Sequence, residues 1–447
     1  MPLAFSKHHW TLLGILVTTG TSGTAYAASQ PDYSIPEIPE VMEESSQSSW
    51  WPQGSEARLS GVFSALHGDV VEAGPFNPNN FAGLPDDGLE AELRPDFKIP
   101  LGDECTTNLK PRFRATRLEI NGETQTEKEF FFNSAYVDCT LGYTTEITAG
   151  RQLLQWGNGQ FRSPSNPFFA ESVLFNPVQE ILGKDFITVG YRPSMDWGLT
   201  YIALLGDSNL DPGHDRFERA HGIKLDWTGR WFNGGVLGSQ REGHPWRLSG
   251  YSTFTLSDAV ILYGEGTVSR DTTGLLPAAS GENILLPASE VDERTRGSLL
   301  LGGSYTFENG TTAYLEYLHS TEAFNDRQAD DWLAIARDAA EGLEGPDALS
   351  SASTLGNAID PGWNQLRNNY LFLQLARTEY LQKADLALRY VQNLEDSSYE
   401  ISTAVTLRLG DNAEWFLVGS RNFGGAETEF GRLYRYTVQT GLRIYAF

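Results

Sequence analysis

The last stretch of the chain, residues 430–447, alternates apolar and polar positions with a period of two. One set comprises Tyr434, Tyr436, Val438, Thr440, Leu442 and Ile444, and the other comprises Arg435, Thr437, Gln439, Gly441 and Arg443. Successive side chains of a strand point to opposite faces, so this pattern predicts a strand with one apolar and one hydrated face. Because Gly441 and Arg443 share parity with Phe447, we predict a bulge near Tyr445.

Segments of the same kind recur from about residue 55 onward. We predict eighteen strands, at 56–67, 87–99, 108–120, 129–141, 144–156, 185–193, 196–205, 218–228, 231–241, 244–256, 259–270, 295–307, 311–319, 366–379, 383–393, 397–409, 412–423 and 432–446. The stretch 231–256 is rich in glycine and could contain fewer crossings, so sixteen strands is the alternative.

The connections between these strands fall into two sets. Counting back from the carboxy terminus, every second connection is short and has turn chemistry, such as Glu308-Asn309-Gly310 or Gly410-Asp411-Asn412. The others are generally longer: 68–86, 121–128, 157–184, 206–217, 271–294, 320–365 and 424–431. Short turns on one side and long loops on the other are typical of membrane barrels. We therefore predict an all-β fold, a transmembrane antiparallel up-and-down β-barrel over residues 55–447.

A chain that stops on Phe447 after an amphipathic strand resembles bacterial outer-membrane β-barrel proteins. The resemblance implies a location in the cell outer membrane, among its lipid and lipopolysaccharide. It also implies that the terminal strand is the signal for the barrel-assembly machinery and closes the barrel against the first strand. The alternative is a secreted soluble all-β protein, in which this stretch is an edge strand.

The amino terminus predicts export. Lys7 precedes an apolar segment, residues 10–17, and a run of small residues ends at Ala25-Tyr26-Ala27, so residues 1–27 read as a signal peptide. Residues 28–54 are rich in Pro, Glu and Ser and predict a flexible acidic periplasmic tail, with a small plug or a docking peptide as the alternative. The formal net charge of −25 argues against nucleic acid as a partner.

The two cysteines, Cys105 and Cys139, lie near the periplasmic ends of neighbouring predicted strands. An exported chain meets an oxidising compartment, so we predict that they form a structural disulfide.

The segment Gly150-Arg151-Gln152 at the end of a strand, followed by Trp156-Gly157 and Asn166-Pro167, resembles large outer-membrane porin and export barrels. The alginate-export type, also eighteen-stranded, is the nearest family by this motif. The resemblance implies a passive conduit for a polar or charged solute.

The loop 157–184 is too apolar to lie in water, and it has two helix-start signals, Ser165-Asn166-Pro167 and Asn176-Pro177. By resemblance to porins, we expect it to fold into the lumen and narrow it; the alternative is a cap packed on the outer loops. The residues assigned to this constriction are Arg151, Gln152, Trp156, Asn166, Phe168 and Phe169.

Several arginines are expected on the lumen face of the first and last strands, which neighbour each other in a closed barrel. They are Arg94, Arg112, Arg114, Arg389, Arg408, Arg435 and Arg443. Guanidinium groups bind carboxylate, sulfate and phosphate, so one hypothesis is anion selectivity. Acids such as Glu90, Glu92 and Asp96 are interleaved, and the alternative is a solvated wall of mutually paired charges.

The remaining features add few candidates. Residues 326–343 have helical spacing and predict a helix in the outer loop 320–365. No His lies in a nucleophile-elbow or metal-ligand spacing, so we predict no enzyme, no metal and no cofactor.

The sequence thus predicts an outer-membrane, porin-like channel for passive passage of polar solutes, with anions as the sharper hypothesis. One alternative is a barrel that serves as a sheath or docking partner for another exported component through residues 28–54. The other is an outer-membrane hydrolase using His214 or His221.

Overall fold

The computed structural model describes residues 52, 54–169, 175–206, 219–270, 274–278, 283–291, 294–363 and 365–446. The predicted signal peptide, nearly all of the acidic tail, and Phe447 lie outside these residues. The strands are β1 Glu56–Val70, β2 Asp87–Leu101, β3 Cys105–Ile120, β4 Glu123–Leu141, β5 Thr145–Gln152, β6 Lys184–Tyr191, β7 Trp197–Leu204, β8 Ala220–Thr228, β9 Phe232–Arg241, β10 Trp246–Ser257, β11 Val260–Ser269, β12 Leu275–Pro277, β13 Leu285–Pro287, β14 Arg296–Thr306, β15 Thr311–Ser320, β16 Asn369–Tyr380, β17 Ala384–Asn393, β18 Tyr399–Arg408, β19 Ala413–Phe423 and β20 Tyr434–Tyr445.

Eighteen of the described strands form one antiparallel sheet, in which each strand pairs with its neighbours along the chain. β1 also pairs with β20, from Ser60 opposite Tyr445 to Val70 opposite Tyr434, so the sheet closes into a barrel. β12 and β13 form a separate small hairpin in an outer loop. The predicted barrel of eighteen strands is confirmed, and the alternative of sixteen is wrong.

Alternation along each strand separates an inward from an outward face. On β16, Tyr370 and Phe372 are buried inside the barrel, whereas Leu373 and Leu375 are exposed outside. Aromatic pairs mark both ends of the outward face: the rings of Trp197 and Trp227 stack near the short turns, and those of Tyr399 and Phe423 stack near the long loops. An apolar outer band between two aromatic girdles is the pattern of a membrane barrel.

The turn between β3 and β4 corrects one expectation. The predicted loop 121–128 is wrong, because β4 begins at Glu123 and only Asn121 and Gly122 connect the strands. Their φ angles are 52° and 76°, and two successive residues at positive φ form the tight hairpin turn that Asn-Gly favours.

The bulge in β20 lies at the other end of the strand from the one predicted. Pairing with β1 is regular through Tyr445, and the register shifts instead where Asp69 pairs with Tyr436 and Val70 with Tyr434. Arg435 is the extra residue of this bulge, and an unpaired residue in a bulge re-aims its side chain. The predicted lumen position of Arg435 is therefore wrong: its side chain is 66% exposed, and its Nη1 lies 3.5 Å from Asp69 at the rim.

The long loops carry three helices in the described residues: α1 Ala288–Val291, α2 Asp326–Gly342 and α3 Ala348–Ile359. The predicted helix at 326–343 is confirmed, and Asn325 with Gln328 forms a capping box at its start. Trp332 of α2 packs with Phe76, Phe324 and Leu355 in an apolar core built from outer loops. Within the described part of the chain, no helix is long and apolar enough to cross a membrane.

Cys105 and Cys139 face each other on β3 and β4, with their Cα atoms 4.1 Å apart, and are joined by a disulfide.

Candidate functional site: the lumen and its loop

The connection between β5 and β6, residues 153–183, lies inside the barrel. We call it the lumen loop; its residues 170–174 lie outside the described ones. Its described residues bond to inward-facing side chains of β3, β11, β15 and β20. Of the two expected placements, the structure thus shows the lumen rather than a cap on the outer loops.

Glu265 of β11 holds the first limb of the loop. Its Oε1 accepts hydrogen bonds from the backbone N–H groups of Asn158 (2.8 Å) and Gly159 (2.7 Å). Its Oε2 accepts hydrogen bonds from the hydroxyls of Ser163 and Ser165, both at 2.7 Å. The Glu265 residue is 2% exposed, so these four donors provide the polar contacts that a buried carboxylate requires.

Glu316 of β15 repeats the arrangement two residues further along the loop. Its two carboxylate oxygens accept hydrogen bonds from the backbone N–H groups of Gln160 (2.6 Å) and Phe161 (2.8 Å). The hydroxyl of Tyr263 donates to the same carboxylate at 2.6 Å. We call Glu265 and Glu316 together the carboxylate clasp. Four consecutive backbone amides of the loop, 158–161, end on these two side chains.

The same limb packs on an apolar part of the wall. Phe168 and Phe169 are buried against Phe186 of β6 and against other inward residues of neighbouring strands, namely Ile202, Leu204, Ala220 and Leu237. We call this contact the apolar seat. A wholly polar lumen was expected, so the structure corrects that expectation on the β6–β9 side: the wall there is apolar because the loop covers it.

The second limb, residues 175–183, follows the opposite wall. Glu180 receives two hydrogen bonds from Arg112, at 2.6 Å and 2.8 Å. Asn176 donates to Gln439 at 2.6 Å, and Arg443 donates to the carbonyl oxygen of Pro177. The Arg389 guanidinium lies 4.2 Å from the centre of the Phe175 ring, a cation–π contact.

The residues predicted to form the constriction are placed at the start of the loop. Arg151 bonds to Asp185 of β6 at 3.0 Å and so joins the strands on either side of the loop. Gln152 ends β5 and is buried, and Trp156 Nε1 donates to the carbonyl oxygen of Ser165. Asn166 caps the next turn, because its Oδ1 accepts from the N–H groups of Phe168 and Phe169.

The predicted lumen arginines are brought together with carboxylates rather than with one another. Arg94 and Arg114 both contact Glu92 at 3.0 Å, and Arg112 contacts Asp96 at 2.8 Å as well as Glu180. Towards the short-turn end, the same arrangement recurs in the pairs Arg443–Glu414 (3.3 Å) and Arg408–Asp385 (3.5 Å). On this side of the barrel, the geometry favours the alternative of a mutually paired wall.

Sequence reasoning missed a second basic group. Arg247 of β10 and Arg296 of β14 face inward on the same rung, with Ser269 of β11 between them. Neighbouring strands lie about 4.8 Å apart, so these Cα positions are roughly 10 Å apart. Arg241 of β9 is inward on the adjacent strand, and Arg247 contacts Glu322 at 3.2 Å. The signal was available, since each arginine falls on the inward parity near the long-loop end of its strand.

A network of outer loops lies above this wall. The Glu429 carboxylate accepts hydrogen bonds from Asn393 Nδ2 (2.7 Å), the Tyr370 hydroxyl and the Leu366 N–H. Burial raises the pKa of Glu429, and these hydrogen bonds oppose that rise. In the residues that the structure describes, no group of three or more His, Cys, Asp or Glu is arranged to hold a metal ion.

Comparison with known proteins places the fold. No protein-family model matches the chain, and no curated protein matches it either. Among solved structures, OccK5 (OpdH) of Pseudomonas aeruginosa is 9% identical, with 89% of this chain and 99% of that chain covered and a TM-score of 0.53. OpdK of Pseudomonas aeruginosa, solved with vanillate, is 9% identical over 88% and 99% with a TM-score of 0.54. OccAB1 of Acinetobacter baumannii is 10% identical over 89% and 98% with a TM-score of 0.51.

These neighbours are outer-membrane porins of the Occ/OprD type with eighteen-stranded barrels. At this level of identity the likeness shows the fold alone. The expected likeness to alginate-export barrels is not supported by them.

Proposed function

We propose that this protein is an outer-membrane channel through which small polar solutes diffuse passively, with anions preferred over cations. The observation that carries the proposal is a closed barrel whose connection 153–183 lies inside it and contacts opposite walls. A loop held across a barrel narrows the passage without a moving part, so permeation is set by the space and charge between loop and wall.

The inward arginines support the preference for anions. Arg241, Arg247 and Arg296 form a basic row on the wall opposite the paired charges of β2 and β3, near the long-loop end. Guanidinium groups provide several N–H donors that match carboxylates and phosphates. OpdK was solved with vanillate, a carboxylate anion, which agrees with an anionic solute for this barrel. The predicted signal peptide, residues 1–27, and assembly through Phe447 remain predictions that belong to the same proposal.

The test is single-channel conductance in a planar bilayer with a salt gradient. We expect a steady current whose reversal potential shows anion preference, and we expect the triple variant Arg241→Gln, Arg247→Gln, Arg296→Gln to move it towards the cation side. The control is Arg327→Gln on α2, whose side chain is 87% exposed; it should leave the potential unchanged. No current from folded protein would overturn the channel, and a current without anion preference would overturn the selectivity.

A further inference from the structure

The outward face of the barrel has a groove beside its closing seam. On adjacent strands, Phe63 of β1 pairs with Ala91 of β2, and Ala91 pairs with Ala115 of β3. Ala65 is a third small residue, on the next rung. A cavity of about 510 Å³ lies over these alanines, with Phe63, Leu89 and Leu442 among its walls. The groove is apolar and spans four strands of the outward surface.

Two cations border the groove on the side of the long loops. Arg117 of β3 stands next to Leu89 and lines the groove itself, and Lys128 of β4 is the register partner of Ala115. Both are exposed, and neither side chain makes an ion pair or hydrogen bond with another residue that the structure describes. On the same strand, the inward Arg112 and Arg114 are both paired with carboxylates. The contrast marks Arg117 and Lys128 as cations whose partner lies outside this chain.

The depth of these cations suits a lipid head group. Arg117 is twelve residues from the inner end of β3 at Cys105, which is roughly 40 Å along a strand and about 30 Å along the normal of a tilted barrel. The apolar band of such a barrel is about 25 Å tall, so Arg117 stands at its outer edge. Below it on the outward face, Phe113 and Phe130 pack with ring centres 4.9 Å apart.

Nearby acids do not neutralise the pair. Asp87, on the next rung outward, bonds to His67 at 2.9 Å, and Glu119 lies beyond Arg117 on the same strand. An arginine or lysine at the membrane boundary prefers a phosphate to bare lipid tails, because its hydrogen-bond donors then have acceptors. Thr126, the register partner of Arg117, adds a hydroxyl at the same level.

We infer that this surface binds a phosphorylated, multiply acylated glycolipid of the outer leaflet, the chemistry of lipid A. An acyl chain occupies the groove over Ala65, Ala91 and Ala115, and a phosphate group contacts Arg117 and Lys128. The inference rests on the outer-membrane location proposed above, but it does not depend on conduction, because these residues face away from the lumen.

The test is binding of a fluorescent lipid A to the purified full-length barrel in detergent. For Arg117→Gln with Lys128→Gln we expect affinity to fall about tenfold, the loss of one charge-assisted contact, with a larger fall if both contact phosphate. Lys98→Gln with Lys383→Gln removes two exposed cations at the short-turn end and should change nothing. The double glutamine variant should bind dephosphorylated lipid A as well as the unsubstituted protein does.

A second variant tests the groove independently of charge. Ala91→Phe fills the cavity and should weaken lipid A binding severalfold while conductance stays unchanged. Equal binding by the unsubstituted protein and both variants would overturn the inference, as would equal loss in the Lys98 and Lys383 control. If Ala91→Phe changes the oligomeric state and leaves lipid A binding intact, the groove joins two copies of the chain and the inference is wrong. A barrel that binds lipid A as expected but carries no current would contradict the proposed function and leave this inference standing.

Discussion

The lumen loop is held in two chemically different ways. At the carboxylate clasp, Glu265 and Glu316 accept directional hydrogen bonds from named loop atoms. At the apolar seat, Phe168 and Phe169 bury area against Phe186 without directional contacts. Hydrogen bonds contribute modestly when made but cost much when a buried partner is orphaned, whereas apolar burial scales with area. We therefore expect the clasp to fix where the loop lies and the seat to limit how much it moves.

The largest effect is expected from Glu265→Ala. It leaves four donors, on Asn158, Gly159, Ser163 and Ser165, without their acceptor, which destabilises the bound loop by roughly 4 kcal/mol. We expect single-channel conductance to rise severalfold, with faster hydrogen exchange of the loop amides. Glu308→Ala in a short turn is the matched control. Unchanged conductance in Glu265→Ala would mean that the clasp does not position the loop.

Phe168→Ala should have a smaller and different effect. Removing a buried Phe costs about 3–4 kcal/mol, but the clasp would still hold residues 158–161. We expect the mean conductance to stay within about a factor of two, with more current noise on the open level. Phe113→Ala, on the outward face, is the control. An effect as large as that of Glu265→Ala would show that the two attachments are not distinct.

Arg112→Met breaks the attachment of the second limb. It leaves Glu180 without its bidentate partner, and the resulting uncompensated negative charge should move the reversal potential towards cation preference. We expect a loss of about 2–3 kcal/mol in loop stability. Arg112→Lys keeps the charge and should recover most of the potential. A potential that is the same in Arg112→Met and in the unsubstituted protein would show that Glu180 does not face the permeating ion.

The smallest effect concerns pH at a carboxylate outside the membrane-spanning strands. Because burial raises the pKa of Glu429, its neutral form is favoured in the folded loop. Its contribution to stability is complete below the ordinary carboxyl pKa and is lost as pH rises through the raised value. We expect exchange of the Leu366 amide to accelerate over that window, after correction for intrinsic rates, and Glu429→Gln to flatten the dependence. Identical profiles would remove Glu429 as the titrating group.

The barrel could be predicted from the sequence because period two and turn chemistry are local signals. Each of the eighteen barrel strands overlaps a predicted one, and errors such as the start of β3 at Cys105 concern boundaries. The bulge at Arg435 could not be placed, since one extra residue changes the parity without changing the composition.

The clasp was missed for a different reason. Glu265 and its acceptors' partners at 158–165 are about a hundred residues apart in the chain, and no spacing links them. A weaker signal existed: Glu316 lies on an inward face between Tyr314 and Leu318, and an acid among apolar neighbours needs donors from elsewhere.

The disulfide at the base of β3 and β4 has a consequence for assembly. Cys105 and Cys139 are directly opposite one another, so the bond can close in an oxidising compartment before the barrel inserts. A slip of one residue would exchange the two faces of a strand. One covalent link therefore restricts, during folding, which of the arginines on β3 meet water and which meet lipid.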